Sequence, residues 1–284
     1  MSEERRVCEV CPHRCRLAEG QTGLCRARGM RDGAIVPLNY GVVTSIALDP
    51  IEKKPLARYY PGSRILSVGS FGCNLHCPFC QNWQISMSDG GPFRRDGSSC
   101  LPPERLAALA EELRPRGNIG VAFTYNEPLI GWEYVRDTAE LLRERDLKVV
   151  LVTNGCCNRE IAERLFPLVD ALNIDLKAFR AETYGKLLGG DLETVKRSIA
   201  LAAEQCHVEL TTLIVPGMND SEEEIRELTG WVASLPRGEE IPLHLSRFFP
   251  RYHMTDRGAT PRESLLRLVS VAREKLRYVY PGNM

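Results

Sequence analysis

From residue 65 to its end the chain alternates short β-branched runs with amphipathic stretches, and this rhythm restricts the fold more than any other feature. Residues 65–70, 119–124, 149–153, 171–176, 208–215 and 241–245 read as buried parallel strands. Between them apolar residues recur at helical spacing: Leu106, Leu109 and Leu113; Tyr134, Val135, Ala139 and Leu142; Leu192, Val195, Ile199 and Ala202. Two later helices open with capping-box patterns, Ser221 with Glu224 and Thr260 with Glu263, the second with Pro261 at its first position. Six βα units predict an α/β fold with a parallel sheet and external helices, either doubly wound or a full or partial barrel. Both place function at the carboxyl ends of the strands.

Several functions lose their footing at once. GxGxxG, GxxxxGK[ST], HExxH and GxSxG are all absent. The 37 Lys+Arg balance 37 Asp+Glu, so no global field steers the chain toward nucleic acid or an anionic membrane. The start, MSEERRVCEV, leads into no apolar segment, and no run of about 18 apolar residues occurs. A soluble, cytoplasmic protein is predicted. Eleven cysteines, an odd number, argue against a disulfide framework there and for metal binding. Seven fall into two groups, Cys8, Cys11, Cys15 and Cys25, then Cys73, Cys77 and Cys80. Cys100, Cys156, Cys157 and Cys206 have no ligand spacing.

Residues 1–64 read as a small Cys-rich extension, with the barrel over 65–284. The extension carries 11 Lys+Arg against 7 Asp+Glu, and Arg14, Arg16, Arg26, Arg28 and Arg31 surround its thiols. These arginines are a solvated face, a patch for an acidic partner, or compensation for a thiolate-metal site. Four thiolates in eighteen residues can saturate one zinc ion or one iron–sulfur cluster, with His13 able to replace one of them.

Directly after the first strand comes Ser70-Phe71-Gly72-Cys73-Asn74-Leu75-His76-Cys77-Pro78-Phe79-Cys80. Three thiolates spaced x3 and x2 wrap one loop around a cluster, and a four-iron cluster held at three corners leaves one iron open to another ligand. Later strand ends supply Thr124-Tyr-Asn-Glu-Pro128, Thr153-Asn-Gly155 and Asp175-Leu-Lys177. A buried strand-end lysine requires an anion, either Asp175 or a bound carboxylate. Thr212 and His244 lie on the fifth and sixth strands, each either facing the site or serving the core.

The Cys-x3-Cys-x2-Cys loop with Phe79 before its last cysteine, placed at the first strand end of a βα series, resembles the radical S-adenosylmethionine enzymes. Together with Cys-Pro-His-Arg-Cys-Arg-Leu in the extension, Tyr125-Asn-Glu-Pro128, Asp175-Leu-Lys177 and the closing Tyr278-Val-Tyr-Pro-Gly-Asn283, it is similar to the AmmeMemoRadiSam-system radical enzymes. These are labelled pyruvate formate-lyase activating-enzyme-like, and the resemblance runs nearly end to end. It implies a partial (β/α)6 TIM-type barrel, a [4Fe-4S] cluster on Cys73, Cys77 and Cys80, and S-adenosylmethionine chelated at the unique iron. One-electron cleavage would yield a 5′-deoxyadenosyl radical that abstracts hydrogen from a small molecule or a protein partner. Flavodoxin or ferredoxin would be the reductant. Phe79, Asn126, Glu127, Asn154, Asp175, Lys177, Thr212 and His244 would line the cofactor. Two departures stand out: the family's Gly-Gly before Glu127 is replaced, and Cys156-Cys157 follows the Thr-Asn-Gly turn. The competing class is a non-catalytic iron–sulfur or zinc protein for binding or electron transfer.

Overall fold

The computed structural model describes residues 4–94 and 100–284. Two small antiparallel hairpins open the chain, β1 (Arg6–Val7) with β2 (Arg16–Leu17) and β3 (Arg28–Arg31) with β4 (Ala34–Pro37). The central sheet follows: β5 (Ser45–Pro50), β6 (Arg64–Gly69), β7 (Asn118–Phe123), β8 (Lys148–Thr153), β9 (Ala171–Asp175), β10 (His207–Ile214), β11 (Leu243–Arg247) and β12 (Val279–Gly282).

Spatial order in this sheet repeats chain order from β5 to β12. A doubly wound sheet would reverse direction at a switch point, so uninterrupted progression identifies the barrel alternative, with β5 and β12 as its two edges. Strands β6 through β12 run parallel, while β5 is antiparallel to β6 and is drawn from the stretch that the sequence assigns to the extension. The six predicted strands are all present and flanked by these two more.

Two short helices, α1 (Trp83–Ser86) and α2 (Gly91–Arg94), follow β6, and longer ones cover the outside: α3 (Pro103–Glu112), α4 (Trp132–Glu144), α5 (Arg159–Leu165), α6 (Leu192–Gln205), α7 (Glu222–Ala233) and α8 (Arg262–Ala272). In α4 the predicted stripe of Tyr134, Val135, Ala139 and Leu142 is buried against the sheet. Each such large apolar side chain contributes about 1.5–3 kcal/mol on burial. No helix among the described residues is long and apolar enough to cross a membrane.

Ser221 caps α7 as predicted, accepting from Glu224 N at 3.2 Å, but the Glu224 carboxylate accepts from Phe179 N instead of closing the box. Thr260 does not cap α8, whose N-cap is Pro261. Its fully buried hydroxyl donates to Ile214 O (2.6 Å) and accepts from Phe248 N (3.0 Å), supplying partners to backbone groups at the strand ends.

The floor of the barrel is polar. Glu209, wholly buried near the start of β10, accepts from Ala57 N, Arg58 N, His207 Nε2 and His244 Nε2 at 2.7–3.0 Å. Burial opposes its charge, yet these donors hold its carboxyl down to about 2. The loop carrying Ala57 and Arg58 is thereby pinned beneath the amino ends of the strands.

Candidate functional site

Opposite that floor, at the carboxyl ends of the strands, lies a cavity of about 470 Å³. Cys73, Cys77, Cys80 and Phe79 border it from the loop after β6; Asn126 and Glu127 follow β7, Asn154 follows β8, and Asp175 and Lys177 follow β9. Nine of the residues that the sequence singles out for the cluster and cofactor thus meet in one space.

The thiol loop is held by its neighbours. Ser70 N donates to Asn126 Oδ1, and Asn126 Nδ2 returns bonds to Phe71 O and Gly72 O at 3.2 and 3.1 Å. Gly72 has φ +85°, and a Cβ there would stand 2.5 Å from Cys25 O, so only glycine admits the extension this close. Leu75 N and Asn154 Nδ2 both donate to Cys73 Sγ, at 3.4 and 3.6 Å. Burial holds the Cys73 thiol well above its ordinary range and pushes Cys77 up to about 11, with the charge of Lys177 opposing the latter. Bare, these thiols keep their protons; a cationic cluster reverses that balance and releases them. Three thiols on one cavity wall, Cys77 buried and Cys73 and Cys80 half-buried, with N–H donors aimed at the Cys73 sulfur, suit a cluster held at three corners.

Glu127 joins two strand ends. Its carboxylate accepts from Thr153 Oγ1 (2.6 Å), Asn154 N (2.7 Å) and Leu129 N (2.9 Å), yet burial still raises it to about 7. Tyr125, standing where the family has glycine, sits at φ +70°, a conformation costing a bulky residue about 1–2 kcal/mol. Its hydroxyl donates to Asp49 Oδ2 at 2.8 Å, and Asp49 also pairs with the buried Lys54 at 3.0 Å, so the edge strand compensates the strain.

Lys177 Nζ lies 2.7 Å from Asp175 Oδ2. Burial acts against the ammonium, but the Asp175 charge holds it above the ordinary lysine range. The internal partner therefore exists, and the ammonium still borders the cavity.

Thr212 and His244 do not reach the site. Thr211 and Leu213 face the cavity, so alternation turns Thr212 outward, where its hydroxyl donates to Leu176 O at 2.8 Å. His244 is only the second residue of β11; its Nε2 meets Glu209 at 2.7 Å and its ring stacks on Tyr280. It serves the floor. Cys156 and Cys157 are buried outside the cavity lining, with Cys157 beside Ser198 of α6. The motif reading missed Asn74, whose amide donates to Cys156 O and accepts from Asn154 Nδ2. Its only sequence signal is its place inside the thiol loop.

In the extension Cys8, Cys11 and Cys25 are buried and Cys15 is half-buried. His13 Nε2 bonds Asn74 O at 2.8 Å and so is engaged elsewhere. Among the described residues no three His, Cys, Asp or Glu side chains converge as ligands of a single metal ion.

A parallel partial barrel with three thiols gathered at its carboxyl mouth, one buried and two half-buried, defines the class. Residues 67–229 match the Radical SAM superfamily, and the chain belongs to it. With that superfamily come enzymatic activity, a [4Fe-4S] cluster and S-adenosylmethionine. An uncharacterized protein of Methanocaldococcus jannaschii is 39% identical over 281 residues, covering 98% of this chain and 81% of the relative. A probable GTP 3′,8-cyclase of Methanosarcina acetivorans is 29% identical over 59% of this chain and half of its own length. A solved domain of the pyruvate-formate lyase-activating enzyme of Bacteroides vulgatus superposes with TM-score 0.50 at 19% identity, over 58% of this chain and 99% of that one, and shows the same fold.

Proposed function

We propose that Cys73, Cys77 and Cys80 hold the catalytic [4Fe-4S] cluster and that Asn126, Glu127, Asn154, Asp175 and Lys177 shape the S-adenosylmethionine pocket beside it. The convergence of the three thiols with these polar strand ends on one cavity carries this reading. Cluster and S-adenosylmethionine together supply reductive S–C5′ cleavage to a 5′-deoxyadenosyl radical that abstracts hydrogen. The protein's own residues do the rest. Lys177, paired with Asp175, offers a fixed cation to the methionyl carboxylate. Glu127, its carboxyl raised by burial, holds two strand ends in register and faces the amino group. Phe79 closes the apolar side, and the walls exclude water.

The extension and the Tyr278–Asn283 ending support placement with the AmmeMemoRadiSam-system enzymes. The substrate is a small molecule or the glycyl-radical loop of a protein partner. A cytoplasmic flavodoxin or ferredoxin delivers the electron, and the extension thiols hold an accessory zinc or a second cluster. The test is anaerobic: reconstituted protein with dithionite and S-adenosylmethionine releases 5′-deoxyadenosine, and Cys77→Ala abolishes it. Undiminished release from that variant overturns the reading.

A further inference from the structure

The extension is not a detached knob. Cys73 N donates to Cys25 O at 3.2 Å, so one hydrogen bond links the backbone of a thiol in each group. Asn74, next to Cys73, accepts at its carbonyl from His13 Nε2 at 2.8 Å. Ala27, Phe71 and Ile130 bury the seam between extension, thiol loop and barrel.

The two thiol groups share a local design. Leu75 N–H donates to Cys73 Sγ, two residues back. In the extension the backbone of His13 lies against the Cys11 thiol, and that of Ala27 and Arg28 against Cys25. Non-glycine residues with positive φ, Arg14 at 42° and Arg26 at 66°, turn the chain tightly after Cys11 and Cys25.

Arg28 is the independent signal. It is 4% exposed; its two terminal nitrogens pair with Glu133 at 2.8 Å, one of them also with Ile130 O, and its charge reaches Cys8 and Cys25. Its Nε is buried without a partner. A buried guanidinium N–H without an acceptor is costly, and anionic sulfur at the thiols its charge already reaches would offset that cost.

We infer that Cys8, Cys11, Cys15 and Cys25 hold a second iron–sulfur cluster that relays electrons to the catalytic one across the Cys25 O to Cys73 N hydrogen bond. The inference rests on Cys73, Cys77 and Cys80 being the catalytic ligands. A low-potential flavin or iron–sulfur donor loses one electron to the extension cluster, which returns to its oxidised state on passing that electron inward. No atom is transferred. Zinc, having no redox states, would fill the thiols but give the link to Cys73 nothing to carry.

The first measurement is the iron, sulfide and zinc content of the full chain, purified and reconstituted anaerobically. About eight irons and no zinc are expected, four per cluster. About four irons, with zinc or with no second metal, overturn the inference without touching the catalytic reading, which stands or falls on 5′-deoxyadenosine release. Cys77→Ala is expected to retain about half the iron, with an EPR signal that S-adenosylmethionine does not shift. Cys11→Ala is expected to retain the shifted signal, its reduction by flavodoxin hydroquinone slowed at least tenfold in freeze-quench EPR. An unchanged reduction rate overturns the relay, and should Cys11→Ala not fold, the metal content of the unaltered chain still decides.

Discussion

Replacing Glu209 by glutamine tests whether the barrel floor is structural. Glu209 Oε1 accepts from His207 and Arg58 N, and Oε2 from His244 and Ala57 N. An amide keeps one acceptor oxygen and turns its nitrogen toward two donors. The histidine can change tautomer, but the backbone N–H cannot. One orphaned donor and the lost charge assistance together cost about 3 kcal/mol. Holding the carboxyl at about 2 instead of 4.5 through these same bonds corresponds to a similar size, about 3 kcal/mol. Because the folded value lies below the unfolded one, this stabilisation is complete above about pH 5 and disappears as pH falls toward 2. Thermal unfolding of Glu209→Gln at pH 7 should therefore occur roughly 6–12 °C lower than for the unaltered protein. The gap should shrink steadily below pH 5. Iron content and 5′-deoxyadenosine release per folded molecule should hold. An unchanged midpoint, or a stable variant that no longer cleaves S-adenosylmethionine, would refute the floor assignment and return His244 to the active site.

Further perturbations separate the remaining roles. Lys177→Met leaves the Asp175 carboxylate without its partner and removes the cation facing the cavity; the KM for S-adenosylmethionine should rise at least tenfold, about 1.4 kcal/mol, and an unchanged KM would reduce Lys177 to a partner of Asp175. Thr260→Val strands Phe248 N and Ile214 O in the core and should lower unfolding stability in urea by about 1–3 kcal/mol. A change under 0.5 kcal/mol would mean that water replaces the hydroxyl. Thr212→Val should leave KM for S-adenosylmethionine within about twofold, since the hydroxyl meets only Leu176 O; a tenfold rise would contradict its outward placement.

The inner strands were legible because their residues are buried on both faces, as in Val149-Val150-Leu151, each with no exposure. The edges were not. In β5 only Asp49 is buried, and β12 contains Pro281 and Gly282, residues that strand patterns discount and that an edge tolerates. Cys73, Cys77 and Cys80 were readable because cluster ligands must be close in sequence to share a loop. Asn74 and Asn154 were harder: their contact joins residues 80 positions apart and exists only once β6 and β8 lie in the sheet. Thr212 shows the sensitivity of a period-two pattern, where displacement by one residue exchanges cavity for helix layer. His244 was misplaced because the sixth strand begins at Leu243 instead of Ile241, which moves that residue away from the mouth.

The central claim is tested most directly by product analysis of anaerobically reconstituted protein given dithionite and S-adenosylmethionine, alongside Cys77→Ala. Release of 5′-deoxyadenosine and methionine by the first and none by the second is the predicted result. Equal release by both, or none from a protein that carries its full iron and sulfide, would contradict the account.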